Sequence, residues 1–333
     1  MQALLSVASG GPETLELTEL PDLTAGKGQL LVAIKAAGVN FPDTLIIRDL
    51  YQMRPARPFA PGGEIAGQVI SVGDGVSGFE IGDHVLALTG FGGFATQITI
   101  SAATAIKFPT TIPFEDAACL LFTYGTSYHA LKDRAALQPD ETLLVLGAAG
   151  GVGSAAIELG KAMGARVIAA VSSEEKAAFC RQIGADDTLI YPHNPDKEAQ
   201  KVLSKDIKSR VQGEGVDVVY DAVGGAYAEP ALRSMAWKGR YLVVGFPAGI
   251  PSIPLNLALL KGCQIIGVFW GASVLREPDA HSENIAELFQ FYQAGKIKPR
   301  ITARFPLGQA AEALDVLSHR AVLGKVVVTM NGA

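Results

Sequence analysis

Three glycines lie where the sequence changes from a strand to a helix, and their spacing suits the binding of a phosphate group. Gly150, Gly151 and Gly153 follow the apolar run "TLLVLGA" and open the segment "GSAAIELGKAMGA". Glycine lets the backbone turn tightly beside a pyrophosphate, whose negative charge then meets the amide N–H groups of the helix N-terminus. Ala148 replaces the first glycine of the usual G-x-G-x-x-G pattern, so the flanking strand and helix carry the argument. We predict a dinucleotide site formed by Gly150, Gly151, Val152 and Gly153.

The end of the next strand indicates which dinucleotide binds. Folds that bind NAD usually carry an acidic residue here, which holds the ribose hydroxyls, and this chain has Val171 instead. Without that carboxylate, a 2′-phosphate could accept hydrogen bonds from Ser172 and meet the charge of Lys176. We assign the nearby Glu174 and Glu175 to the first turn of a helix that Ser172 caps. The sequence therefore predicts NADP(H) rather than NAD(H).

The segments around this turn predict a doubly wound sheet. Apolar, β-branched runs without polar alternation are "RVIAAVS", "TLIY", "VDVVYDAV", "GRYLVVG" and "CQIIGVFWG", with helical segments between most of them. Strands of this type form parallel sheets that are covered on both faces. Residues 1 to about 120 instead show short alternating strands broken by glycine and proline, which predicts an all-β region. "TYGTSYHALKDRA" is typical of a helix, and the tail predicts two helices and a closing strand.

Composition and charge narrow the class of protein. A chain of 333 residues suits two domains. Its formal charge is −5 and its Lys and Arg residues are not clustered, which argues against a nucleic-acid partner. We see no secretory signal and no apolar stretch near the roughly 20 residues of a membrane helix, so we expect a soluble, cytoplasmic protein. Its three cysteines lie far apart and predict neither a disulfide framework nor a CxxC metal site.

Six motifs follow one another along nearly the whole chain: "AAGVNFPDTLIIRDLY", "PGGEIAGQVISVGDGVSGFEIGDHVLAL", "TYGTSYHAL", "GAAGGVG", "VDVVYDAVGG" and "GKVVV". In these motifs and their order the chain resembles the zinc-free quinone oxidoreductases of the medium-chain dehydrogenase/reductase superfamily. The resemblance implies an α/β protein with a GroES-like, β-rich catalytic domain packed on a doubly wound Rossmann domain. We expect residues 1–122, completed by residues 294–333, to form the catalytic domain, and residues 123–293 to form the Rossmann domain.

The zinc ligands of the related alcohol dehydrogenases are missing. Those enzymes carry a cysteine where this chain has Asn40, a histidine where it has Gly63 and a second cysteine where it has Phe122. An amide, a hydrogen atom and a phenyl ring cannot replace thiolate and imidazole donors, so we expect no metal. Interconversion of alcohols and carbonyls needs a Lewis acid or a proton relay. A hydride added to a quinone or an enone instead sends charge onto a conjugated oxygen, where it is delocalised.

The predicted reaction is therefore the reduction of a small conjugated acceptor by NADPH, and the leading candidate acceptor is a quinone. The same hydride geometry would serve a 2-enoyl reductase that acts on enals, enones, haloacrylates or enoyl thioesters. A protein that binds NADPH without turnover is a third alternative. The resemblance also implies a homodimer joined through the edge strand "GCQIIGVFWG", whose apolar residues would favour aggregation if it stayed unpaired.

The resemblance assigns roles to the other site residues. Asn40 matches the active-site asparagine, whose amide orients cofactor or substrate, and the hydroxyl of Tyr51 could donate to a developing oxyanion. Thr126 matches a threonine close to the nicotinamide. Tyr191 and Arg320 match positions that contact the phosphate side of NADPH. Further cofactor contacts are expected at the carboxyl ends of successive strands, at Val223, Gly245, Phe246, Phe269 and Gly271.

Overall fold

The computed structural model describes residues 1–319 and 322–330. The chain divides into two compact units, of which the first comprises Met1–Phe122 and Pro299–Ala333 and the second is the continuous stretch Thr123–Lys298. The second unit is thus inserted between two parts of the first. Arg320, which we predicted to contact the phosphate side of the cofactor, lies outside the described residues.

The first unit is built mainly on antiparallel strands. They are β1 (Gln2–Ser6), β2 (Leu15–Glu19), β3 (Gln29–Val39), β4 (Glu64–Val72), β5 (His84–Leu88), β6 (Gln97–Ser101), β7 (Ile106–Lys107), β14 (Ile301–Pro306) and β15 (Lys325–Thr329). Seven strands form one sheet in the order β14-β15-β3-β4-β5-β7, with β6 beside β3, and β1 pairs with β2. Leu30, Ile65 and Val326 lie in the buried core of this sheet. The predicted GroES-like, β-rich architecture is confirmed.

The first unit also contains three helices in its described residues, which are α1 (Phe41–Ile46), α2 (Phe114–Ala117) and α11 (Ala310–Ser318). Our prediction of an all-β region before residue 120 is therefore wrong at α1 and α2. Helix α1 starts because Asp43 accepts a hydrogen bond from the backbone N–H of Asn40 at 2.7 Å, which satisfies an amide at the helix entrance. We did not predict β14, because Arg304 and Pro306 interrupt its apolar pattern.

The second unit contains a parallel sheet. Its strands are β8 (Thr142–Leu146), β9 (Arg166–Val171), β10 (Asp187–Ile190), β11 (Val216–Asp221), β12 (Met235–Val243) and β13 (Gln264–Gly267). They pair in the order β10-β9-β8-β11-β12-β13, and all pairs are parallel. This order is that of a doubly wound dinucleotide-binding sheet, which confirms the predicted Rossmann architecture.

Helices precede, connect and follow these strands along the chain. They are α3 (Thr126–Tyr128), with π-helical turns at Leu121–Gly125 and His129–Arg134, then α4 (Gly151–Ala162), α5 (Glu174–Gln182), α6 (Lys197–Ser209), α7 (Ala228–Arg233), α8 (Asn256–Lys261), α9 (Trp270–Arg276) and α10 (Pro278–Gln293). Within the described residues, no helix has the length and apolar character needed to span a membrane.

The strand register brings the carboxyl ends of the parallel strands to one edge. Leu146 of β8 pairs with Asp221 of β11, which pairs with Val243 of β12, which in turn pairs with Gly267 of β13. A ligand of an open α/β sheet binds beyond this edge. One expected residue lies elsewhere, because β13 stops at Gly267 and Trp270 opens α9. Our placement of Gly271 at a strand end is therefore wrong, since it lies within a helix.

Candidate functional site

The glycine turn of the second unit joins β8 to α4 and leaves room beside the backbone. Gly147 has φ +70°, and the N–H of Gly150 donates to its carbonyl oxygen at 3.1 Å. A Cβ atom at Gly153 would collide with that oxygen and lie 2.7 Å from Cα of Ala148, whereas one at Gly150 would meet nothing closer than 3.6 Å. Gly153 is thus needed for packing of helix against strand, while Gly150 has room for a methyl group.

The N-terminus of α4 is suited to an anion. No side chain of the described residues accepts a hydrogen bond at its N-cap, Gly150. The first amide N–H groups of a helix have no acceptor within the helix, and the helix dipole adds partial positive charge there. A phosphate group placed beside this turn would therefore meet donors that the fold has left available.

Two polar side chains lie together just beyond β9. The strand ends at the buried Val171, and the ammonium group of Lys176 donates to the hydroxyl of Ser172 at 3.1 Å. Our prediction that Ser172 caps α5 is wrong, because the cap is Ser173, whose hydroxyl accepts from the N–H of Lys176 at 3.3 Å. This placement is compatible with the predicted phosphate contact, because the hydroxyl of Ser172 does not cap the helix.

The loop after β11 is hydrogen-bonded to a buried aspartate that we did not predict. Asp221 is buried, and its Oδ1 accepts hydrogen bonds from the N–H groups of Val223 and Gly224, each at 2.8 Å. Its Oδ2 accepts from the hydroxyl of Tyr241 at 2.5 Å. Burial raises the pKa of Asp221, although these three donors lower it. The N–H of Val223 is engaged by Asp221, so a cofactor contact at this residue falls to its side chain or carbonyl oxygen.

The remaining predicted cofactor residues differ in exposure. Tyr191 is buried at the end of β10, where its ring centroid lies 4.6 Å from that of Tyr227. The N–H of Gly245 donates to the backbone oxygen of Asp221 at 3.2 Å. Phe246 and Phe269 are 45% and 68% exposed, which leaves both rings accessible.

Thr126 opens α3, and the residue after it is hydrogen-bonded to the glycine turn. The neighbouring Ser127 donates from its hydroxyl to the carbonyl oxygen of Val152 at 2.8 Å and lies 2.9 Å from the hydroxyl of Tyr220. Because Val152 lies in the first turn of α4, this bond sets the position of α3 relative to the predicted phosphate site. Ser127 was missed by sequence reasoning, since a serine within an apolar helix has no distinguishing pattern.

In the first unit, Asn40 lies between two buried charged groups. It follows β3, whose residues Gly38 and Val39 pair with Glu64 of β4 and Val326 of β15. The side-chain N–H of Asn40 donates to Oε2 of Glu64 at 3.0 Å, and Nζ of Lys325 donates to Oδ1 of Asn40 at 2.7 Å. Lys325 and Glu64 are also an ion pair, with 3.3 Å between Nζ and Oε2.

A second carboxyl group lies beside this cluster. Asp43 is buried and accepts hydrogen bonds from the backbone N–H groups of Asn40 at 2.7 Å and Gly63 at 3.1 Å. Burial raises the pKa of Asp43 to about 7, although these amides and the charge of Lys325 lower it. Burial also raises the pKa of Tyr51, and the negative charge of Asp43 adds to that effect. The Tyr51 hydroxyl therefore remains protonated at neutral pH and can donate.

The structure brings together the three positions at which related enzymes carry zinc ligands. Asn40 and Gly63 both donate to Asp43, and the backbone N–H of Phe122 donates to Oε1 of Glu64 at 2.8 Å. The donor set does not fit zinc, because an ammonium group already neutralises Glu64 and both Asp43 oxygens accept amide protons. In the described residues, no group of three or more His, Cys, Asp or Glu side chains could hold a metal ion.

Sequence reasoning missed Glu64, Lys325 and Asp43. Glu64 and Lys325 each open an otherwise apolar strand, in "EIAG" and "KVVV", which is an unusual place for a charge. Asp43 lies three residues after Asn40, which is capping-box spacing. These signals are present in the sequence, but only the pairing of β15 with β3 shows that the charges meet.

The sequence is similar to two dehydrogenase family models and to proteins named quinone oxidoreductase. Residues 26–110 match the family model described as alcohol dehydrogenase GroES-like domain, and residues 151–291 match the one described as zinc-binding dehydrogenase. A quinone oxidoreductase-like protein 2 homolog of Nematostella vectensis is 38% identical, covering 91% of this chain and 82% of that protein. A quinone oxidoreductase of Pseudomonas aeruginosa is 34% identical over 96% of this chain and 97% of its own length.

A solved structure extends this similarity to the fold. The crystal structure of Escherichia coli quinone oxidoreductase complexed with NADPH superposes with a TM-score of 0.89 at 30% identity. The match covers 99% of this chain and 100% of that one. Both units described above therefore have their counterparts in a single known chain.

Proposed function

Because this chain belongs to the quinone oxidoreductase family of the medium-chain dehydrogenase/reductase superfamily, we propose that it transfers a hydride from NADPH to a quinone without a metal ion. The observation that carries this proposal is the group of Asn40, Glu64 and Lys325, which we call the Asn40 cluster. Where a zinc enzyme needs open ligands, this chain has an amide held between an ammonium group and a carboxylate. An acceptor reduced beside it has to disperse the incoming charge through its own π-system, as a quinone does.

The second unit offers the groups that NADPH requires. Its pyrophosphate would bind at the turn Gly150–Gly153, where the uncapped helix α4 presents amide N–H groups. Its 2′-phosphate would bind Ser172 and Lys176, since hydrogen bonds in which at least one partner is charged are about twice as strong as neutral ones. NADPH, when bound, supplies the hydride. Further contacts are proposed for Thr126, Tyr191, Val223, Gly245, Phe246 and Phe269.

The first unit supplies groups for the acceptor. Tyr51 donates a hydrogen bond to the quinone oxygen on which negative charge develops, because its raised pKa keeps the hydroxyl protonated. Asn40 orients the cofactor or the substrate. Tyr51 also packs against the core of this unit, which limits the motion of its ring.

NADPH consumption with a panel of acceptors tests this function. The purified protein is assayed with naphthoquinone, phenanthrenequinone, hexenal and crotonyl-CoA, before and after dialysis against a metal chelator. We expect the quinones to give the highest kcat/KM and the chelator to change nothing. Faster reduction of hexenal or crotonyl-CoA would identify an enoyl reductase. Tight NADPH binding with no oxidation by any acceptor would identify a protein that does not turn over.

The edge of the parallel sheet supports a homodimer. Among the described residues, strand β13 pairs with β12 on one side and with no strand on the other, and Ile265 within it is 37% exposed. Large apolar side chains near it in sequence are strongly exposed: Leu255 at 71%, Leu259 at 78%, Leu260 at 64%, Phe269 at 68% and Leu275 at 78%. An apolar edge strand with such neighbours is a pairing surface, and a second copy of β13 offers the same surface in return. The cytoplasmic location stays a prediction.

A further inference from the structure

The side-chain nitrogen of Asn40 donates both of its hydrogen bonds to groups of the protein. Nδ2 donates to Oε2 of Glu64 at 3.0 Å and to the backbone oxygen of Gly38 at 3.3 Å. A primary amide has two N–H donors, so both are engaged. Oδ1 accepts from Nζ of Lys325 at 2.7 Å, and the N–H of Asp43 donates to the backbone oxygen of Asn40 at 3.0 Å. An amide oxygen carries lone pairs and no proton, so any further partner of this side chain has to donate to Oδ1.

The two charged neighbours permit only one orientation of this amide. If the amide were rotated by half a turn, Nδ2 would face the ammonium group of Lys325, and donor would meet donor. Oδ1 would at the same time face the carboxylate of Glu64, and acceptor would meet acceptor. An ammonium group cannot accept and an ionised carboxylate cannot donate, so neither contact could be repaired by a tautomer or a rotated proton. The orientation of Asn40 is therefore set by charge.

Stability alone does not account for this ion pair. Lys325 is 3% exposed and Glu64 is fully buried, so both groups have lost their hydration. Replacing a buried ion pair by neutral residues of similar size is often neutral or stabilising, because desolvation offsets the attraction between the charges. The chain nonetheless places one charge on β4 and one on β15, on the two strands that flank the end of β3.

We propose that Lys325 and Glu64 are positioning residues, which hold the Asn40 amide so that Asn40 can meet the cofactor or the substrate only as a hydrogen-bond acceptor, through Oδ1. This inference rests on the proposed function for its kinetic consequence, but not for the orientation itself. The partner of Oδ1 is then a donor such as a carboxamide N–H or a ribose hydroxyl. The developing oxyanion of a substrate, which needs donors, is left to Tyr51.

Amide hydrogen exchange tests the orientation directly. The chain has five asparagines, so labelling with nitrogen-15 asparagine gives few side-chain signals, and loss of one signal in Asn40→Asp assigns Asn40. The variant to compare carries Glu64→Gln and Lys325→Met together, because this double change removes both members of the ion pair at once. We expect its Asn40 side-chain protons to exchange about tenfold faster or more than in the native protein. Equal protection in a folded double variant would overturn the proposal.

A kinetic cycle tests the consequence. Asn40→Ala is measured for kcat/KM with naphthoquinone in the native background and in the double variant, with NADPH affinity followed by fluorescence and folding by thermal melting. We expect a loss of about tenfold in the native background and little further loss in the double variant, because coupled residues are not additive. Lys325→Arg, which retains the charge, should keep more activity than Lys325→Met. If Asn40→Ala reduced kcat/KM equally in both backgrounds, the proposal that Lys325 and Glu64 position Asn40 would be wrong.

The two measurements separate the two proposals. If the native protein reduces no quinone, the proposed function fails, and the exchange of the Asn40 protons still decides the orientation. If quinones are reduced but exchange at Asn40 is unchanged in the double variant, the positioning role fails and the function stands.

Discussion

Lys176 donates a hydrogen bond to Ser172 at 3.1 Å, just beyond a strand that ends in Val171 rather than in an acidic residue. This relationship makes a prediction about cofactor choice. Lys176→Met should weaken NADPH binding about tenfold or more and leave NADH binding unchanged, because only NADPH carries a phosphate at the ribose. Fluorescence titration with both cofactors measures the change.

The matched control for this change is Lys201→Met. Lys201 is a lysine of the same unit whose side chain is 68% exposed and pairs with Glu198 on α6. Its replacement should leave the affinities for NADPH and NADH unchanged. If Lys176→Met weakened NADPH and NADH equally, or neither, the assignment of the ribose phosphate to this pair would be wrong.

The two glycines of the turn should respond differently to a methyl group. Gly153→Ala should destabilise the protein, because the new Cβ would lie 2.7 Å from Cα of Ala148 and collide with Gly147. Gly150→Ala should leave the melting temperature almost unchanged, because the nearest atom to its Cβ among the described residues, chain neighbours aside, is the carbonyl oxygen of Gly147 at 3.6 Å, an ordinary contact distance. It should still reduce NADPH affinity about tenfold, since the methyl group occupies the approach of the pyrophosphate. Normal NADPH affinity in Gly150→Ala would place the pyrophosphate elsewhere.

Asp43 should make folding stability fall as the pH rises from about 4 to 7. Burial raises its pKa from 3.8 to about 7, so in that range the native chain holds a proton that the unfolded chain has released. The contribution of Asp43 to the free energy of unfolding is fully present below its pKa in the unfolded chain. It is lost as the pH rises through its pKa in the folded chain, and the total loss is on the order of 4 kcal/mol.

Asp43→Asn isolates this contribution, because the neighbouring charges of Lys325 and Glu64 and the hydroxyl of Tyr51 are the same in both proteins. The difference in unfolding free energy between native protein and variant should shrink from pH 4 to pH 7, as measured by urea denaturation. A constant difference over that range would mean that Asp43 ionises as it does in the unfolded chain.

Tyr51→Phe should reduce kcat for naphthoquinone about tenfold, because it removes the donor to the developing oxyanion. The change keeps the ring that packs against the core, so the melting temperature should stay within a few degrees. NADPH affinity serves as the internal control and should not change. An unchanged kcat would assign the oxyanion to another donor.

Ile265→Lys should convert the proposed dimer into a monomer. A lysine on an edge strand prevents pairing with a second strand, and Ile265 lies within β13, which forms the edge of the parallel sheet. Sedimentation velocity at micromolar concentration measures the mass, and Val202→Lys on α6, which also replaces an exposed apolar residue (59% exposed), is the control. A native protein that already sediments as a monomer would exclude this interface.

The parallel sheet could be predicted because its strands are buried on both faces. Such strands appear as continuous apolar runs, and β8, β9 and β11 lie where those runs do. Ends of elements were harder to predict. Strand β13 appeared to continue through Phe269 and Trp270, since an apolar aromatic pair suits a strand as well as the first turn of a helix.

The Asn40 cluster shows what the sequence could not provide. Lys325 is far from Asn40 in the chain, and a lysine before "VVV" is usually an exposed strand end. Its burial depends on two antiparallel pairings, of β15 with β3 and of β3 with β4, which no local pattern specifies. Asn40 itself could be proposed from the sequence, but its partners required the tertiary structure.

The insertion of the second unit into the first has a consequence for synthesis on the ribosome. Domains fold as they emerge, from the N-terminal end onward. Strands β3 and β4 leave the ribosome early, but their neighbour β15 follows only after the whole stretch Thr123–Lys298 has been translated. The nascent polypeptide thus completes its nucleotide-binding half first, and the catalytic half gains Lys325 only with β15, which is translated after that half.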